Sequence, residues 1–172
     1  LNSYGNANSK IEMVGVSGWL RAADLSTSSR LILTKETKGE TVLNGFTVSA
    51  ASTKTYSFLG GVQGEGDFTV NNGGDGSPTY TFGGDLSEWS GLFHVSKTNE
   101  SNNGTVTLNL RNGGTLFTDA EAGVKLSATG GTLNVNIGSA AAETVMNGSI
   151  TRTGSATLNL TVQSGSQLVT FN

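Results

Sequence analysis

Thr107-Leu108-Asn109-Leu110 reads TLNL, Thr132-Leu133-Asn134-Val135 reads TLNV, and Thr157-Leu158-Asn159-Leu160 reads TLNL again, at intervals of 25 and 25 residues. Each sits in a longer alternating run. In Val106–Leu110 the Val and Leu side chains fall on one side and Thr and Asn on the other, as a half-buried strand requires. Self-similarity at a fixed spacing marks a repeat architecture, and the spacing extends upstream. Thr55-Tyr56-Ser57-Phe58-Leu59-Gly60 returns as Thr79-Tyr80-Thr81-Phe82-Gly83-Gly84 after 24 residues, and Val62 returns as Leu86 at the same shift. Phe68-Thr69-Val70 returns as Phe93-His94-Val95 after 25 residues, and Gly123 returns as Gly148.

A unit of 24 to 25 residues with two or three short strands and Gly-rich corners is about one turn of a coil. The expected fold is therefore all-β: a right-handed parallel β-helix (β-solenoid), with equivalent strands about 4.8 Å apart along the axis. Inward Leu, Val and Phe then form an apolar column, and outward Thr and Asn form hydrogen-bonded ladders. The alternative is an antiparallel β-sandwich whose strands merely resemble one another. No composition shift marks a linker, so residues 1–172 read as one domain, with irregular N-terminal rungs or a cap over 1–50, the repeat over 55–162 and a terminal strand over 163–172. Helical signals are confined to three short stretches, 18–23, 119–122 and 139–144.

Composition narrows the function classes. Charged residues make up 13%, the net charge is −3, and there are 25 Gly, one Pro and no Cys. An acidic pI near 5.0 without a Lys/Arg cluster argues against nucleic acid. No run of 18 apolar residues is present, so no transmembrane helix is expected. The chain opens at Leu1 without Met or a basic-then-apolar leader, which reads as a processed protein or an excised piece.

Thr79 to Val95, reading TYTFGGDLSEWSGLFHV, resembles the strand repeat of bacterial autotransporter passenger regions: an aromatic strand, Gly-Asp-Leu-Ser, an aromatic, Gly, and a second strand ending in Val. Thr55 to Val70 is similar to a divergent copy, and Gly15-Val16-Ser17-Gly18-Trp19-Leu20 has the same character. The resemblance implies an exported passenger, surface-displayed or released, built as a β-helix. It names a location better than an activity, since the family hosts adhesins, proteases and esterases.

Candidate chemistry is sparse. His94 is the only histidine and Cys is absent, so no transition-metal site and no cofactor are expected. The Gly-rich stretches Gly64–Asp67 and Gly73–Gly76 echo the calcium-binding nonapeptide of solenoids without its tandem copies. Stepping along the repeat, His94 leads to Asp119 and Asp119 to Glu143. Stacked rungs would align these three as an outward column, in which Asp119 could orient the imidazole or two carboxylates could share acid–base work. Asp119 with Glu121, and Asp67 with Asp85, are further carboxylate pairs. The alternative for each is a solvated stripe or a turn residue. Trp89, with Tyr80 and Tyr56 near it in the repeat, is the candidate aromatic platform for a sugar ring, against the alternative of a core cover. Trp19 is expected to plug the open end of the coil.

Two functions follow. The first is a structural or adhesive passenger, monomeric, secreted or on the cell surface, that binds mucin-like glycans or glycoproteins. The second is a secreted hydrolase of such glycoproteins, an aspartic-type peptidase or glycosidase using a carboxylate pair.

Overall fold

The computed structural model describes residues 2–4, 8–20, 24–50, 53–72, 76–99, 101 and 103–172, with backbone alone for 2–4, 18–20 and 50. The chain winds as a parallel β-solenoid. Its first coil comprises β1 (Asn2–Tyr4), β2 (Lys10–Val14) and β3 (Val16–Leu20). The second has β4 (Leu25–Thr27), β5 (Arg30–Lys38), β6 (Thr41–Asn44) and β7 (Phe46–Ala50). The middle coils have β8 (Thr55–Phe58), β9 (Val62–Gln63) and β10 (Phe68–Asn71), then β11 (Thr79–Phe82) and β12 (Leu92–Lys97). The last ones have β13 (Thr105–Leu110), β14 (Gly114–Leu116) and β15 (Gly123–Leu126), β16 (Thr132–Ile137), β17 (Thr144–Met146) and β18 (Ser149–Arg152), and finally β19 (Thr157–Val162) and β20 (Val169–Phe171).

Equivalent strands stack into three faces. Face A is a seven-stranded sheet, β1-β4-β8-β11-β13-β16-β19, and face C a six-stranded one, β3-β7-β10-β12-β15-β18. Face B runs from β2 through β5 and β9 to β14, β17 and β20. The gap between β9 and β14 is spanned at Leu86, which bridges to Leu116, while the Val62 amide donates to the Asp85 carbonyl at 2.9 Å. Every strand pair among the described residues is parallel except β5–β6, a hairpin. The antiparallel sandwich is thereby set aside.

The repeat is looser than the letters suggest. Tyr56, Tyr80, Leu108, Val135 and Leu160 stack in register, at steps of 24, 28, 27 and 25 residues, so a coil averages 26. The two strands that read Tyr-x-Phe pair as expected, and so do Phe68 with Phe93 and Leu133 with Leu158. Leu108, however, faces Val135, and Leu133 faces Val106. The 25-residue interval between the first two TLNL motifs is two short of the structural step. A slip of two preserves the inward–outward parity of a strand, so the motif repeated without its register repeating. Likewise Gly123 faces Ser149 rather than Gly148.

The core is a closed column. Phe68 lies at its centre, with ring centroids 5.4 Å from Phe46 and Phe58, 5.6 Å from Tyr80, 5.5 Å from Phe82 and 5.7 Å from Phe93. Tyr56 stacks on Tyr80, and Phe58 on Phe82, at 5.3 and 5.2 Å, because identical inward positions meet one rung apart. From β13 onward the filling becomes aliphatic: Val106, Leu108, Leu110, Leu133, Val135 and Ile137 are fully buried. Corners are held by close backbone approach. Gly45 has φ +45°, and a Cβ there would lie 2.0 Å from the Asp67 carbonyl oxygen, so only Gly fits.

No helix occurs among the described residues. Residues 18–20 of the first expected helical turn are strand, with 21–23 outside the described residues; 119–122 form a turn, and 139–143 bend into β17. Each segment is too short to nucleate a helix against the pull of the stack. The side chain of Trp19 lies outside the described residues.

Candidate functional site

Two surfaces carry the chemistry available to this chain. The first is the outer side of face A. Its outward positions align as Thr55–Thr79–Thr107–Asn134–Asn159 and Ser57–Thr81–Asn109–Asn136–Thr161. The amide of Asn136 donates to Asn109 Oδ1 at 2.9 Å, Asn109 Nδ2 donates to Thr81 Oγ1 at 3.1 Å, and Asn159 Nδ2 donates to Asn134 Oδ1 at 2.9 Å. Asn109 uses both its amide groups within the ladder and is buried together with Thr81, so the groups left for a ligand lie mainly along the partly exposed row Thr55–Thr79–Thr107–Asn134–Asn159. No strand of face A contains Asp, Glu, Lys or Arg. The surface is a neutral array of hydroxyls and amides.

The second surface is the outer side of face C, around His94. On adjacent rungs His94 is flanked by Thr69 and Lys125. Its Nε2 lies 2.6 Å from Ser127 Oγ. Burial lowers the imidazole pKa first and the Lys125 ammonium lowers it further, against a smaller opposing pull from Asp67. The neutral ring is therefore favoured, and a neutral imidazole beside a hydroxyl is half of a nucleophile–base pair. The other half needs a group that orients Nδ1. Asp67, the carboxylate His94 senses, has its oxygens committed elsewhere: Oδ2 accepts from Asn44 Nδ2 and Oδ1 from the Leu92 amide, both at 2.9 Å. Among the described residues no carboxylate bonds to His94.

The expected His94–Asp119–Glu143 column does not form. Face C steps by 31 residues between β12 and β15, so His94 meets Lys125. Asp119 lies instead in the exposed corner ahead of β15, where Oδ1 accepts from the Glu121 and Ala122 amides at 2.9 and 3.2 Å, and Oδ2 accepts from the Thr118 hydroxyl. These bonds to the ionised form lower its pKa. Glu143 is exposed at the approach to β17 on face B, its carbonyl accepting from the Gly114 amide at 2.6 Å. Glu121 is exposed in the same corner as Asp119. Asp85 closes its own turn through the Ser87 amide at 3.0 Å, and its pKa is lowered by the Ser87 bonds. Asp67 clasps Asn44 a rung away, its amide donating to Asn44 Oδ1 at 2.9 Å. The turn alternative describes Asp85 and Asp119, while Asp67 ties neighbouring rungs together and Glu121 and Glu143 are exposed.

The aromatic platform is corrected as well. Trp89 and Tyr80 are fully buried and Tyr56 nearly so. Trp89 donates its indole N–H to the Gly66 carbonyl at 3.0 Å and packs on Phe117 at 5.0 Å, so it covers the core. Tyr80 OH has no partner among the described residues, and desolvation pushes its ionisation far above the ordinary range. None of the three offers a ring face to a sugar.

Ser127 and Lys125 were not foreseen. Their only sequence signal is the alternation of Gly123–Leu126, since the step that places them beside His94 is set by the long corner after β14. Among the described residues no cluster of three His, Cys, Asp or Glu side chains has metal-binding geometry, and Gly73–Asp75 of the calcium-like stretch lie outside the described residues. No helix of the described residues is long and apolar enough to cross a membrane, which says nothing of β-barrel strands.

Comparison of the chain with family models, with curated proteins and with solved structures finds no match. What stands of the resemblance to autotransporter passengers is its architecture, the β-solenoid.

Proposed function

We propose that the chain is part of an exported structural or adhesive rod, of the kind displayed or released as an autotransporter passenger, which engages neutral glycans of mucin-like glycoproteins along face A. The observation that carries this reading is the uncharged ladder of Thr and Asn across five successive rungs. Hydroxyl and amide groups both donate and accept, as sugar hydroxyls do. Repetition at about 4.8 Å presents the same pair of groups many times, so weak contacts add through multivalency. With its aromatics buried, the surface would recognise sugars by hydrogen bonding rather than by stacking. The absence of Cys, with stability drawn from stacking and backbone pairing, suits export.

The test is retention on immobilised mucin, with the eluate and the supernatant assayed for cleavage. Thr107→Lys and Asn134→Lys, which put ammonium groups on face A, should abolish retention. Thr151→Lys, exposed on face C, should leave it intact. Retention that survives both face A changes sinks the proposal, and release of mucin fragments that disappears in Asp119→Asn or Glu143→Gln would favour the hydrolase instead.

A further inference from the structure

Hydroxyls on the outer side of face C share one habit: they donate to a backbone carbonyl one rung back. Ser96 donates to Val70 at 3.1 Å, Ser149 to Ala122 at 3.4 Å and Thr151 to Val124 at 3.5 Å. The matching carbonyl is in place for Ser127, whose amide donates to Val95 at 2.9 Å. Its hydroxyl lies instead 2.6 Å from His94 Nε2. That is the separation at which an imidazole can take a hydroxyl proton.

The surroundings suit that transfer. The ring stands between Thr69 and Lys125 on adjacent rungs, so the stack orients it where a triad would use a carboxylate. Burial and Lys125 keep it neutral, as a base must be. Asp67, fixed by Asn44 and the Leu92 amide, favours the positive charge the ring acquires. Lys125, the register partner of His94, brings an ammonium to the same patch.

We propose that Ser127 and His94 form a nucleophile–base dyad that hydrolyses carboxylic esters, namely O-acyl groups on neutral glycans. Ser127 Oγ bonds to the ester carbonyl carbon while its proton passes to His94 Nε2, in the tautomer protonated at Nδ1. Lys125 stabilises the oxyanion. Collapse breaks the bond to the alcohol, which leaves with the proton from Nε2. Water then adds to the acyl-Ser127 carbonyl and gives its proton to Nε2. Release of the carboxylic acid returns that proton to Ser127 Oγ. The column to which His94 belongs indicates the alcohol. Ser17, Thr47, Thr69, His94 and Lys125 align outward in register. At the far end the β5–β6 hairpin walls a cavity of about 240 Å³, lined by Ser17, Val42 and Thr47 among others. Thr47 stands two rungs, about 10 Å, from His94. The hydroxyls between are uncharged and match a polyhydroxy chain. The dyad lies on a different face from the glycan ladder of face A, and its test reads covalent chemistry rather than retention, so failure of either leaves the other standing.

Incubating the whole chain with a fluorophosphonate and mapping the label by peptide mass spectrometry reads the nucleophile. Acetate release from O-acetylated cellotriose reads turnover. Label should collect on Ser127 ahead of the other serines and vanish in Ser127→Ala. His94→Gln, which keeps a polar partner for the hydroxyl but no base, should slow labelling and turnover about 10²–10⁴-fold. Ser96→Ala should leave both unchanged. Ser17→Trp, which fills the cavity, should raise KM for the acetylated trisaccharide and spare the labelling rate. Circular dichroism checks that each variant keeps its coils. Ser127 left unlabelled, labelled no faster than Ser96, or labelled equally in His94→Gln overturns the dyad and makes the contact structural. A KM indifferent to Ser17→Trp overturns the assignment to glycan esters.

Discussion

β16 and β19 begin with the same three letters, Thr-Leu-Asn, and pair residue for residue. Their environments differ sharply. In β16 every second side chain, Leu133, Val135 and Ile137, is fully buried; in β19 none is, and Leu160 and Val162 are half-exposed. Alternation therefore specifies which side chains point inward, while a neighbour on each side decides whether inward means dry. In a solenoid the burial of a residue belongs to its rung's neighbours as much as to the residue itself.

The contrast can be broken most forcefully at the fully enclosed extreme. Phe68→Ala removes a ring that meets five others and should cost about 3–5 kcal/mol in denaturant unfolding. A loss no larger than that of an end-coil substitution would show that the coils unfold independently. Leu133→Ala should cost about 2–5 kcal/mol and Leu160→Ala about 0.5 kcal/mol; equal losses erase the distinction between β16 and β19. The ladders repeat the contrast in polar form. Asn136→Ala leaves Oδ1 of the buried Asn109 without its donor and should cost about 1–3 kcal/mol. Asn159→Ala, at the exposed rung, should change stability by no more than about 0.5 kcal/mol.

The smallest effect is a dependence on pH. Because the folded chain lowers the pKa of His94, the unfolded state takes up its proton first as pH falls. Stability is then at its full value above the ordinary histidine pKa of about 6.5, declines as pH drops toward the folded value, and levels off below it. In His94→Gln this portion of the melting-temperature profile should flatten; a profile unchanged from wild type assigns the dependence to other groups.

Most of the solenoid was legible because its strands alternate. Thr55–Phe58, Thr105–Leu110 and Thr132–Ile137 are strands where the repeated letters stand, since β-branched and aromatic residues alternate there between turn formers. β9, β14 and β17 were not foreseen: two or three residues long, they are too short to show a period and are strands only because the rung beneath supplies partners. β2 and β3 also escaped, having no counterpart at the 25-residue spacing. Extrapolating that spacing misplaced the candidate site. Corners absorb extra residues, as the 31-residue step from His94 to Lys125 shows, so column membership cannot be counted along the sequence. The aromatics misled for a related reason. Trp89 reads in the sequence as a platform or a core cover, and the lack of a Cβ at Gly91, where one would lie 2.9 Å from Trp89 Nε1, lets the indole fold inward as a cover.

The β5–β6 hairpin leaves the stack at Lys35 and returns at Asn44, the two residues facing each other before Gly45 resumes the coil. Its tip, Gly39–Glu40, is exposed, and nothing approaches the missing Cβ of Gly39. Extra sequence entering there would lengthen a closed excursion at an entropic cost that grows only logarithmically, while every rung keeps its alignment. The tip is thus a natural insertion point, where evolution or an engineer can append a whole recognition module without renegotiating the scaffold beneath it.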